Sequence, residues 1–334
     1  MRSAWRGPAV PAPRGLIERA RGLPGAVVPL LIAVAVLGYV AGDSGVTGGS
    51  GEEHARTAKA ANVLIEYPQG WRSAPNTHPI PGLALARAQL LAPHGDVSAA
   101  GLLVGALPAR EPGPLPGSFL ERVRRQPQTT VVELVELQAY RYTQLSVRGF
   151  APALTIFVIP DPGGQSTALA CYAPSARSPE MIACEQTVAS ATIAGQPQAY
   201  QLTPEPAYAS AISAAITTLD RLRGELKREL GPQASAASAE ALARRLAAGY
   251  AAAGATLARL EANFASQRAQ AALASAMAST RGGYHALAAA AAQRSASGYA
   301  AAQTRVARGE RAVDRALENF VLLGYSPSLS GLGT

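Results

Sequence analysis

Hydrophobic and polar positions divide this chain into three regimes. From Gly22 to Gly42 no residue is charged, and the run LPGAVVPLLIAVAVLGYVAG has the length of a helix that crosses a bilayer. Residues 61–195 alternate short apolar runs with turn signals, a pattern that predicts strands. Beyond residue 210 apolar residues recur at helical spacing in an alanine-rich background, which predicts helix almost throughout.

In the middle regime, NVLIEYPQGW reads as a strand ending in a turn, where Pro68 presets the backbone and Gly70 closes it. Further strands are predicted at 83–91, 99–107, and near 130–137, 140–148, 153–159 and 166–172. ALTIFVI is continuously apolar and is expected to be central in the sheet, while DPGG at 161–164 is a strong turn. SFLERVRR predicts a short helix capped by Ser118. SPEMIACEQTVASATI predicts a closing helix with Ser178 as cap, Pro179 first and Glu180 in the first turn. Met181, Cys184, Val188 and Ala191 then share a face, which turns Cys184 to the core and toward Cys171 on the last strand.

In the helical regime Ile212, Ala215, Leu219, Leu222 and Leu226 form one stripe, and Leu242, Leu246, Tyr250, Ala253, Leu257, Leu260 and Phe264 a second. RGGY at 281–284 is expected to turn or bend the chain. Val306, Val313, Leu317 and Phe320 make the last stripe, with Arg311 to Asp314 and Arg315 to Glu318 as exposed pairs. Three helices are expected to pack as an antiparallel bundle; the alternative is an intermolecular coiled coil, which would make a homo-oligomer through the helices.

The fold class expected is therefore α+β, an antiparallel sheet with flanking helices, followed by an all-α antiparallel helical bundle and preceded by one N-terminal transmembrane helix. The boundaries are a basic tail (1–21), the membrane anchor (22–42), a Gly/Ser-rich linker (43–60), the α+β domain (61–195), a Pro-containing linker (196–209), the bundle (210–325) and a C-terminal tail (326–334).

Tyr67, Pro68, Gly70 and Trp71 at the start of the mixed region, with CYAP and CEQTVAS at its end, resemble PsbP-like domains of exported bacterial proteins. The resemblance covers the middle region alone and implies a fold, not an activity; no ligand motif comes with it.

Charge fixes an orientation for the anchor. Arg2, Arg6, Arg14, Arg19 and Arg21 precede it, and Asp43, Glu52 and Glu53 follow, so the N-terminus is expected in the cytoplasm and the bulk outside. A cleavable signal peptide is the competing reading, and it too exports the remainder. The net charge of +8 lies in this tail and along the helices, while residues 43–203 are nearly balanced. Without aromatic interleaving, that distribution argues against nucleic acid as a partner.

Export bears on the two cysteines. Cys171 and Cys184 are too few for a structural zinc and form no C-x-x-C, so a disulfide is expected, two buried free thiols being the alternative. Gly42-Asp43-Ser44-Gly45 matches a protease nucleophile motif, but the first histidine, His54, follows it where that family places its histidine ahead. His54, His78, His94 and His285 have no second ligand at a specifying spacing; His94 with Asp96 reads as turn chemistry. Glu133 and Glu136 fall on opposite sides of a strand, and Trp71 and Phe157 are expected in the core. Arg122, Arg124 and Arg125 form the densest basic cluster, read as meeting a helix dipole or else an anionic headgroup or polymer. No catalytic residue, metal ligand or cofactor site is assigned. The expected function is a non-enzymatic, membrane-anchored binding or scaffold module that contacts an envelope protein or polymer; an extracytoplasmic enzyme or small-ligand receptor with a site in the α+β domain is the alternative.

Overall fold

A computed structural model describes residues 56–325, except 75–79, 95, 109–110, 136, 162–164, 195–200 and 232–233. The expected membrane segment, the protease-like GDSG string, the DPGG turn beyond Asp161, His54, His78 and Glu136 lie outside the described residues. Among those that are described, no helix is long and apolar enough to cross a membrane.

Two antiparallel sheets organise the first half. Strands β1 (Arg56–Ala60), β2 (Val63–Tyr67) and β10 (Thr192–Ile193) form the smaller, in the order β1-β2-β10. The larger has seven strands in the order β3-β4-β5-β9-β8-β7-β6: β3 (Trp71–Ala74), β4 (Ala86–Pro93), β5 (Gly101–Ala106), β6 (Gln128–Glu133), β7 (Gln138–Leu145), β8 (Ala153–Pro160) and β9 (Ser166–Ala173). The turn expected after β2 forms, with the Trp71 amide donating to the Pro68 carbonyl at 2.9 Å. β8, the ALTIFVI strand, lies inside the sheet and is buried on both faces, as its run, apolar but for the buried Thr155, requires.

Alternation along the strands sends side chains to two cores. On one face Trp71, Leu91, Leu102, Phe157, Leu169 and Cys171 meet the small sheet and helix α2 (Pro179–Ala189). Ser178 accepts from the Met181 amide, Pro179 opens the helix, and Cys171 is bonded to Cys184 with 5.8 Å between their Cα atoms. The bridge thus ties α2 to the sheet at its centre. On the other face Leu90, Leu103, Tyr140, Tyr142, Ile156 and Val158 belong to one continuous core with the C-terminal helices.

Among the described residues those helices number four, one more than expected: α3 (Pro206–Glu229), α4 (Ala236–Leu257), α5 (Gln267–Ala292) and α6 (Ala296–Leu322). Neighbours in sequence pack side by side, giving an up-and-down bundle with one end on the sheet. There Tyr142 donates to the carbonyl of Leu322 at 2.8 Å, and Tyr140 to that of Leu202 at 3.3 Å. The second expected stripe is cut at Leu257, and Leu260 and Phe264 lie in the connection to α5.

Three local expectations are corrected. RGGY does not turn the chain: α5 runs through it, because Gly283 lets α6 approach so closely that a Cβ there would stand 3.1 Å from the Val306 amide nitrogen. The turn comes at 293–295, where Arg294 takes a φ of 51°. The helix after the Pro-rich loop, α1, is only Gly117–Leu120 with Pro116 at its N-cap; Ser118 lies inside it and donates to the Gly82 carbonyl. Arg311 to Asp314 and Arg315 to Glu318 are not ion pairs, since neither arginine stands within ion-pair distance of its expected carboxylate; the Oδ1 of Asp314 is instead buried without a hydrogen-bond partner.

Candidate functional site

Arg122, Arg124 and Arg125 fall beyond α1, so the dipole of a helix is not what places them. Instead Val123 pairs with Val147 in an isolated antiparallel bridge. The Arg148 amide donates to the Arg122 carbonyl and the Arg124 amide to the Ser146 carbonyl, each at 2.8 Å. Val147 is buried and Val123 half-buried, so the flanking residues of each strand point the other way. Arg122 and Arg124 thereby share an exposed face with Arg148, a residue the sequence reading did not single out. Its signal was the fixed distance between two segments that meet only in the fold.

Beside this face lies a cleft of about 210 Å³ lined by Leu120, Val123, Arg124, Arg125, Gln126 and Leu322, with Glu318 as its acidic member. No carboxylate among the described residues stands within ion-pair distance of any of the four arginines. Arg148 is steadied by a hydrogen bond from its guanidinium to the Glu121 carbonyl at 3.2 Å. Guanidinium groups left without counter-charges on one surface suit phosphate or carboxylate oxygens, which they bind in a planar, two-pronged manner.

A second cluster, inside the bundle, went unread in the sequence. Glu310 of α6 accepts from Lys227 of α3 at 2.6 Å, Tyr284 of α5 at 2.7 Å and Tyr250 of α4 at 3.3 Å. Arg223 stands 3.4 Å from the same carboxylate and 3.2 Å from Asp220. Burial alone would raise the pKa of Glu310, but the hydrogen bonds from Lys227 and Tyr284 and the two cations hold it below its ordinary range. For Asp220 and Asp314 burial prevails and their pKa values rise. The phenols of Tyr250 and Tyr284, desolvated and beside Glu310, are raised as well. All four helices contribute, so the cluster fixes their register; the signal was Arg223 standing in the buried series Ile212, Ile216, Leu219, Arg223, Leu226.

The remaining sequence candidates separate. His94 takes a φ of 51° in the turn after β4, and its amide donates to the Gly70 carbonyl at 2.7 Å. Asp96 accepts from the hydroxyl and amide of Ser98, which lower its pKa. His285 is exposed on α5. Among the described residues no three His, Cys, Asp or Glu side chains gather as a metal site. Trp71 and Phe157 are core residues, and Arg141 lies 5.8 Å over the Phe157 ring while pairing with Glu185.

No family model, curated protein or solved structure matches this chain.

Proposed function

We propose that this chain is a membrane-anchored, extracytoplasmic protein of the cell envelope that acts by binding, and that its arginine face holds a phosphate- or carboxylate-bearing envelope component. The observation that carries this reading is the convergence of Arg122, Arg124 and Arg148 on one exposed face beside Arg125, with no carboxylate of the described residues paired to them. The Cys171–Cys184 bond supports an oxidising location, where such bonds persist. The uncharged 22–42 segment and the arginines ahead of it support the anchor and its orientation, and the resemblance of the middle region to PsbP-like domains of exported proteins accords with export.

The test uses the full chain in discs of neutral lipid. Binding is measured to vesicles containing phosphatidylglycerol and, separately, to soluble polyphosphate and to soluble polyglutamate. R122E/R124E/R125E should weaken whichever is bound by at least about tenfold, with a matching loss of salt dependence. Equal binding by the triple variant and the parent, or binding by neither, overturns the reading.

A further inference from the structure

Four strands stand at the edges of the two sheets, and three of them are poor templates for pairing. β10 has two residues and β3 has four, while β1 carries Arg56 and Lys59. β6 differs. Its six residues, Gln-Thr-Thr-Val-Val-Glu, include no proline and no basic residue, and they pair with β7 without a bulge from Gln128 opposite Thr143 to Glu133 opposite Gln138. Alternate residues of such a strand turn both N–H and C=O away from the neighbour, toward an incoming strand.

The side chains at this edge are also incompletely covered. Val131 packs in part against the bundle-side core and Val132 in part against the disulfide-side core, so both cores run out half-covered at β6. Val135, in the turn between β6 and β7, is 66 % exposed, the largest exposure of any large apolar residue described.

We propose that β6 pairs antiparallel with β6 of a second copy, joining two seven-stranded sheets into one. Charge selects both the partner and the direction. Arg124 and Arg125 lead into β6 and Glu133 ends it. A second copy laid antiparallel sets each acidic end beside the other's basic lead-in, whereas a parallel copy would set like charges together. A two-fold axis normal to the sheet keeps each side chain on its own face, so it must pass midway between a residue and the same residue of the other copy, and is named by that residue. Through Thr130, the axis places Glu133 opposite Pro127 of the other copy, diagonal on the same face to Arg125; through Val131, it carries Glu133 two residues further from that arginine. An axis at Thr129 would set Glu133 opposite Arg125 itself but would place Pro127, which has no N–H to donate, opposite Val131 inside the strand; the axis therefore runs at Thr130, which is exposed and meets its own counterpart.

Because Cys171 and Cys184 are bonded to each other, an added cysteine is the one free thiol. In mild detergent, the full chain with T130C should form a covalent dimer under gentle oxidation, and S73C on the β3 edge should not. Sedimentation of the parent should show a reversible dimer, weakened at least about fivefold by T130K, which sets like charges opposite each other. At a concentration where both are monomeric, an unshifted thermal midpoint in T130K would tie that loss to the contact. A monomeric parent, as expected if β6 serves an extended peptide of another protein, overturns the proposal. So does equal crosslinking of T130C and S73C, or a dimer indifferent to T130K.

Discussion

Tyr284 on α5 donates its phenolic proton to Glu310 on α6 across 2.7 Å, and this carboxylate also takes the ammonium of Lys227 from α3 at 2.6 Å. One side chain therefore gathers donors from the other helices of the bundle. Such a centre is stabilising only while it is complete, because each group has given up water to reach it. Replacing Glu310 by Ala strands the Arg223 guanidinium and two phenols. E310A should lose about 3 kcal/mol in urea unfolding, and Y284F, which removes one donor and leaves the carboxylate its cations, about 1 kcal/mol. A loss from E310A no larger than that from Y284F would show that the charges are not buried as a unit.

The carboxylates of this cluster respond to pH with opposite signs. Glu310 has a folded pKa below its ordinary value of 4.5, so the stability it supplies is present above that value and is lost as pH falls through the lowered one. Asp314 has a folded pKa above 3.8, so stability falls as the pH rises from 3.8 to the raised value, and the cost is complete above it. D314N removes that cost. Its thermal midpoint should exceed the parent's at pH 7, and the difference should vanish below about pH 3.8, where the aspartate is protonated in both states. A gain that persisted in acid would assign the effect to packing.

The disulfide offers a prediction independent of charge. Cys171 and Cys184 are separated by 13 residues, and closing a loop of that size restricts the unfolded chain by about 3 kcal/mol. C171A/C184A should lose about that amount in equilibrium unfolding, and added reductant should then leave its midpoint unchanged while lowering the parent's. Cys184 is fully buried against the sheet, so reduction of the parent should require partial unfolding and proceed slowly in the native state.

Where the sequence was legible, one local cause sufficed. Ser178 and Pro179 specify a helix start by themselves, and the face shared by Met181, Cys184 and Val188 fixes which way the thiol points. Strands β4 to β9 of the large sheet were likewise marked by apolar runs and turns, whereas β3, Trp-Arg-Ser-Ala, has no apolar run to mark it. What stayed illegible depends on pairs distant in the chain. Arg148 joins Arg122 and Arg124 only because Val123 meets Val147, and Arg223 is inward only because Glu310 waits on α6. The stripe read on α3 placed Ala215 and Leu222 inward, whereas Ile216 and Arg223 are buried; the two series differ by a rotation that only the partner helices decide. Ala215 and Leu222 instead line a groove between α3 and α4.

Glycine in a helix makes the same point in a form that can be measured. Sequence alone gives Gly282, Gly283 and Gly309 one meaning, a helix weakened by about 1 kcal/mol relative to alanine at each position. The packing separates them. A Cβ on Gly282 would meet nothing within 4 Å, whereas one on Gly309 would stand 2.6 Å from the Thr280 hydroxyl and 2.9 Å from its Cα. G282A should therefore recover the propensity and stabilise the protein by up to about 1 kcal/mol. G309A gains the same propensity but must push α5 and α6 apart or distort them, a cost of about 1–3 kcal/mol that leaves it net destabilising. Urea unfolding of the two variants beside the parent checks both signs. If G309A proved as stabilising as G282A, the helices would not be in the close contact that carries the chain straight through RGGY.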